Sequence, residues 1–144
     1  MSGKFVVAYD GSPASKRALD FAAERAVAND ATLVVTHVLE WSPYSFLTPT
    51  EIEERHKRRT DELERAEKAL MAPVVAELSD KGVKNETVIK YGHIADTLCK
   101  VVKDTGATQM FVGRDGQGAF SARVFGSVAG SLVQIAPVPC TIVP

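Results

Sequence analysis

The chain reads as an α/β protein: a single five-stranded parallel sheet with helices on both faces, Rossmann-like, in the strand order 3-2-1-4-5. Two observations carry that expectation. Short apolar runs rich in β-formers alternate with longer segments of helical period. Such alternation builds a parallel sheet covered on both sides. The first and fourth apolar runs each lead into a glycine-containing loop that ends at a helix start. In the order 3-2-1-4-5 these two strands are neighbours at the topological switch point, where open α/β sheets bind ligands.

The first strand is the run Phe5-Val6-Val7-Ala8-Tyr9, followed at once by Asp10-Gly11-Ser12-Pro13. Ser12 suits a helix N-cap, and Pro13 fits the first helical position, where its missing N–H would be unpaired anyway. A helix then runs from Ser12 to Asn29, with Leu19, Ala22, Ala23 and Ala26 on one face, small enough to pack closely on a sheet. Thr32 to Leu39 is the second strand. Residues 40–47 contain Trp41, Tyr44 and Phe46, an aromatic loop suited to covering a pocket, meeting a partner or packing locally.

Thr48-Pro49-Thr50-Glu51 has the form of a capping box at the start of a long helix. Ile52, Leu63, Ala66, Leu70 and Leu78 mark its apolar side imperfectly. Pro73 is expected to kink it or end its first part, and Gly82 to stop it. Thr87 to Tyr91 is the third strand, followed by a helix from about Ile94 to Lys103. Gln109 to Val112 is the fourth strand, Val128 to Ala136 the last helix, and Cys140 to Val143 the fifth strand.

The segment after the fourth strand carries the chemistry. It reads Gly113-Arg114-Asp115-Gly116, nine residues, then Gly126-Ser127 at a helix start. Glycines let backbone N–H groups approach an anion, and a helix N-terminus adds unpaired donors and a favourable dipole. The pattern points to a nucleotide or another phosphate ligand. It is not a P-loop, because no Gly-Lys-Ser or Gly-Lys-Thr occurs in the chain. It is not a dinucleotide fingerprint either: Gly116-Gln117-Gly118 starts one, but Ser121 stands at the third glycine. Asp10, at the end of the first strand, either shapes a turn or accepts hydrogen bonds from a base amino group or a ribose hydroxyl.

Composition narrows the class. At 144 residues the chain is long enough for one domain, 1–144, with a proper core. A net charge of -1 argues against nucleic-acid binding across the surface. The basic cluster Arg55, Lys57, Arg58 and Arg59 is flanked by acids and reads as a solvated helix face. No apolar stretch approaches the ~20 residues of a membrane span, and no cleavable signal is visible. Cys99 and Cys140 lack partners at metal spacing and read as reduced core residues of a cytoplasmic protein. His37, His56 and His93 are scattered, and no metal constellation or nucleophilic triad is supported by spacing.

The residues Tyr9-Asp10-Gly11-Ser12, the helix Ser15 to Ala22, His37-Val38, Gly113-x-x-Gly116-(nine)-Gly126-Ser127-Val128 and the ending Ala136 to Val143 together resemble the universal stress protein family, nucleotide-binding type. The resemblance covers nearly the whole chain. It implies an adenine nucleotide site, for ATP or a relative, with Mg²⁺ or Mn²⁺ held by the phosphates. By position it implies that Asp10 and the backbone of Val38 hold the adenine region, and that Val112 and Gly113 lie against base and ribose. It implies phosphate donors at Gly116, Gly126, Ser127 and Val128, with Ala8 and Arg114 completing the nucleotide-binding set. It further implies a homodimer through the strand Cys140 to Val143, whose edge needs covering in any case.

Three positions depart from the family pattern: Arg114 where Ser or Thr is usual, Asp115 where a basic residue or His is usual, and Arg123 at an aliphatic position. Asp115 would set a negative charge beside phosphates unless a metal or Arg114 offsets it. The function expected is a cytoplasmic stress-response protein that uses the nucleotide as a regulatory ligand, with at most slow hydrolysis. The sequence shows no P-loop lysine and no evident water-activating base. Two alternatives stand beside it. One is a dimeric interaction module of the same fold without nucleotide. The other is an ATP-pyrophosphatase-like enzyme, whose Ser-Gly-Gly-x-Asp-Ser loop the segment Tyr9 to Pro13 does not match.

Overall fold

The computed structural model describes residues 3–40, 49–115 and 126–144. The aromatic residues Trp41, Tyr44 and Phe46, the cap Thr48, the loop glycine Gly116 and Arg123 lie outside the described residues. The strands are β1 (Lys4–Ala8), β2 (Thr32–Leu39), β3 (Asn85–Tyr91), β4 (Gln109–Gly113) and β5 (Cys140–Val143). The helices are α1 (Pro13–Ala28), α2 (Pro49–Arg65), α3 (Ala72–Asp80), α4 (Ile94–Thr105) and α5 (Ser127–Ile135). The strands form one parallel sheet in the order β3-β2-β1-β4-β5, as the alternation predicts.

Both faces of the sheet are covered, and the period-2 alternation of strand side chains divides the core. Phe5 and Val7 of β1 join Leu33, Val35 and Phe111 against α1 and α3. Val6, between them, joins Val34, Met110 and Val112 against α4 and α5. Ala18, Ala22 and Ala26 of α1 are fully buried, and their small side chains let this helix lie close to the strands. Among the described residues no helix is long and apolar enough to cross a membrane.

Helix ends follow the sequence signals. The Ser12 hydroxyl accepts the N–H of Ser15 at 3.2 Å, and Pro13 occupies the first turn of α1. Gly82 lies just beyond α3 at φ +73°, a left-handed conformation that glycine adopts without strain. β3 begins two residues before the expected Thr87, because Asn85 and Glu86 are polar edge residues without an apolar signal. Glu86 accepts an ion pair from Lys4 at 2.9 Å.

The first part of the long helix ends before Pro73, as expected, while the helical path continues. A π-helical segment, Ala66–Met71, joins α2 to α3, and Pro73 sits in the first turn of α3. The Ala72 N–H donates to the carbonyl of Glu67, five residues back. The wider turn places the residue without an N–H at a helix start, where no donor is needed. Ile52 departs from the expected apolar side: it is exposed, whereas Met71, Val74 and Leu78 enter the core.

Candidate functional site

β1 and β4 lie side by side, with Val6 opposite Met110 and Val7 opposite Phe111. Their C-terminal ends therefore deliver the two loops to one edge of the sheet. The β1 loop is held by three local bonds. Oδ1 of Asp10 accepts the Ser12 N–H at 2.9 Å, the Asp10 N–H donates to Ser15 Oγ at 3.3 Å, and Ser15 Oγ donates to Ser12 O at 3.0 Å. Gly11 takes φ +82° between them. Asp10 thus shapes the turn, and the same turn fixes its carboxylate at the strand end.

His37 ties β2 to this loop. Its Nδ1 lies 2.9 Å from the carbonyl of Tyr9, which can only accept, so Nδ1 carries the proton. The Tyr9 N–H donates to Thr36 O at 2.9 Å and extends the pairing one residue beyond β1. On the other side, the Arg114 N–H donates to Val143 O at 2.8 Å, and the Gly126 N–H donates to Arg114 O at 2.9 Å. The second bond closes the β4 loop onto α5. It also uses the Gly126 amide, so this glycine serves the loop rather than supplying a free donor. The first intrahelical bond of α5 is Gly130 N–H to Gly126 O. The amides of Ser127, Val128 and Ala129 precede it and have no acceptor within the helix.

These elements surround a cavity of about 450 Å³, within the range of small-molecule sites. Ala8, Asp10, Val38, Val112, Gly113, Arg114, Gly126, Ser127 and Val128 all line it, so the structure brings nine of the ten expected site residues together. The tenth, Gly116, lies outside the described residues. The lining divides by chemistry. Val38, Leu98, Val112 and Ala129 are buried and apolar, a surface suited to the face of a planar base. The first turn of α5, whose amides have no acceptor within the helix and which carries the positive dipole end, suits an anion.

Tyr9, Ser15, Thr36, His37, Glu40, Ile94, Leu98 and Ala129 also line the cavity, although the loop patterns did not single them out as site residues. Glu40 was legible, because it follows β2 as Asp10 follows β1. Ile94 and Leu98 were not, since apolar helix positions look alike whether they meet a core or a cavity. A second groove adjoins the cavity between the starts of α4 and α5, and shares Glu40, Ile94, Ser127 and Val128 with it.

Arg114 and Asp115, just after β4, line the same cavity. Arg114 Nε and Asp115 Oδ2 are 3.9 Å apart, too far for a hydrogen bond. Arg114 Nε and Asp115 Oδ1 are shut off from solvent without a hydrogen-bond partner among the described residues. No group of three metal-ligating side chains converges among the described residues. A divalent cation would fit here only as a companion of ligand phosphates, with a single carboxylate such as Asp115 beside it.

The model of the universal stress protein family matches residues 1–144. The chain belongs to this family. The universal stress protein in the QAH/OAS sulfhydrylase 3′ region of Thermus aquaticus is 35% identical over 139 residues, covering 96% of each chain. Universal stress protein YxiE of Bacillus subtilis is 28% identical over 147 residues, covering 99% of each. Among solved structures, universal stress protein UspA from Lactobacillus plantarum superposes with a TM-score of 0.86 at 22% identity, over 99% of this chain and 97% of that one. At that identity the likeness shows the fold. Two more distant universal stress proteins were solved with adenine nucleotides. One, from Archaeoglobus fulgidus, is in complex with dAMP (TM-score 0.67, 21% identity, 100% of this chain and 98% of that one). The other, from Arabidopsis thaliana, has AMP bound (TM-score 0.66, 22% identity, 98% and 90%).

Proposed function

We propose that this universal stress protein is a cytoplasmic stress-response protein that binds ATP or a related adenine nucleotide in the switch-point cavity, as a regulatory ligand. The observation that carries the reading is one juxtaposition. Buried apolar residues from β2 and β4 face the same cavity as the first turn of α5. A base needs the first and a phosphate the second. The bound AMP and dAMP of the two family structures support the same reading.

In this reading Asp10, Ala8 and the backbone of Val38 hold the adenine region, and Val112 and Gly113 flank base and ribose. Ser127 and Val128 give their amides to phosphate, with Arg114, Gly116 and Gly126 shaping the loop around it. Mg²⁺ or Mn²⁺ travels with the phosphates of a triphosphate. The bound nucleotide is held rather than turned over, with hydrolysis at most slow. A second copy of the chain pairs along the edge strand β5.

Calorimetric titration with adenine and guanine nucleotides tests the reading. Adenine nucleotides are expected to bind saturably. Asp10→Ala, checked for folding, is expected to weaken them by roughly tenfold, as the loss of a charge-assisted hydrogen bond would. Equal losses for guanine nucleotides would remove Asp10 from base recognition. Absence of binding by any adenine nucleotide up to millimolar concentration would overturn the proposal in favour of a dimeric interaction module.

A further inference from the structure

The charges around the cavity say which adenine ligands it favours, an inference that rests on the reading above. Among the described residues three carboxylates line the cavity, Asp10, Glu40 and Asp115, against one guanidinium, Arg114. Residues 41–48 carry no charged side chain, and residues 116–125 carry only Arg123. Even with Arg123 turned inward, negative side chains outnumber positive ones. The adjoining groove offers no relief for a longer phosphate chain. Among the described residues its ionisable lining is Glu40, Asp96 and His93, with no lysine or arginine.

Asp115 is only loosely compensated. Its Oδ1 is shut off from solvent without a partner among the described residues, and its Oδ2 stays 3.9 Å from Arg114 Nε. A carboxylate in that position gains little from its neighbour and repels any anion brought beside it. Against this stands the first turn of α5, worth about half a positive charge. That suits one modest anion. It does not suit a free triphosphate, each of whose further charges meets the field of Asp115.

We infer that Asp115 is a specificity-determining residue that makes this a site for adenine ligands of low charge, the nucleoside and its monophosphates, and that a triphosphate enters only with a divalent cation offsetting its charge. The role of Asp115 is repulsive: it weakens one class of ligand without contributing to the other.

Calorimetric titration with adenosine, AMP, ATP in EDTA, and ATP with excess Mg²⁺ tests this on the wild type, Asp115→Asn and Arg114→Gln. In the wild type, ATP in EDTA is expected to bind roughly tenfold or more weakly than AMP, with Mg²⁺ closing most of the gap and added salt narrowing it. Asp115→Asn is expected to strengthen ATP in EDTA by roughly tenfold and leave adenosine unchanged. Arg114→Gln is expected to move ATP the opposite way, and this arm with the Mg²⁺ arm decides the matter if Asp115→Asn does not fold. Should ATP in EDTA bind as tightly as AMP, or should Asp115→Asn leave their ratio unchanged, the inference falls while the adenine site stands. If neither adenosine nor AMP binds, the underlying reading falls and this inference with it.

Discussion

A Cβ added at Gly113 would lie 2.9 Å from the carbonyl carbon and oxygen of Ala14 and 3.1 Å from its Cβ. Those neighbours are mostly backbone at the start of α1 and cannot swing aside. Gly113→Ala is therefore expected to push α1 away from β4 and destabilise the fold by about 1–3 kcal/mol, the usual cost of overpacking. Chemical denaturation measures it; an unchanged midpoint and slope would show that α1 is not seated so closely. The spacing of glycines singles out Gly113 in the sequence, but as a ligand glycine. The closer reason is a helix whose start lies far away in the chain, and spacing cannot name that neighbour. Asp10 was legible in the same partial way. Its position after β1 marks it, while the bond to the Ser12 N–H shows that turn and site are one feature.

At the scale of elements, α2 has no buried residue, yet it is fastened to the sheet. Tyr91, the last residue of β3, donates its hydroxyl to Glu62 Oε2 at 2.6 Å, and the Arg59 guanidinium lies 5.3 Å from the ring centre. Burial first, and then the bond to the Glu62 carboxylate, push the Tyr91 phenol up to about 12 from its ordinary 10.0. A raised acid stabilises the fold fully below its ordinary value and loses that contribution as the pH rises towards the folded value. The wild type is thus expected to lose stability between about pH 10 and 12 more steeply than Tyr91→Phe. Denaturation midpoints across that window check the difference, and parallel curves would contradict the assignment. The polar surface of α2 was legible in its charge pattern. The π-helical segment before Pro73 was not, because a proline announces a missing N–H and not how the preceding turns will absorb it.

The topology of the whole molecule was the most legible feature, because a parallel sheet leaves few ways to connect alternating strands and helices. Placing β1 beside β4 was enough to bring Asp10, Gly113 and Ser127 to one cavity. The contributions of α4, and the loose pairing of Arg114 with Asp115, depend on side-chain packing that no spacing rule encodes. The sheet ends in β5, an edge strand. Carbonyls of Pro139 and Val143 face β4, where they accept from Met110 and Arg114. Cys140 and Ile142, alternating with them, turn their backbone groups to the open side. Ile142→Pro removes an outward N–H while sparing the pairing with β4. The wild type is expected to sediment as a dimer and this variant as a monomer, with helical circular dichroism retained. A dimer that survives this change would place the interface elsewhere.

A crystal structure of the protein grown with AMP tests most directly whether the switch-point cavity holds an adenine nucleotide. The base is expected against Val38 and Val112, and the phosphate at the amides of Ser127 and Val128. A nucleotide seated elsewhere on the molecule, with the cavity holding only water, would contradict it.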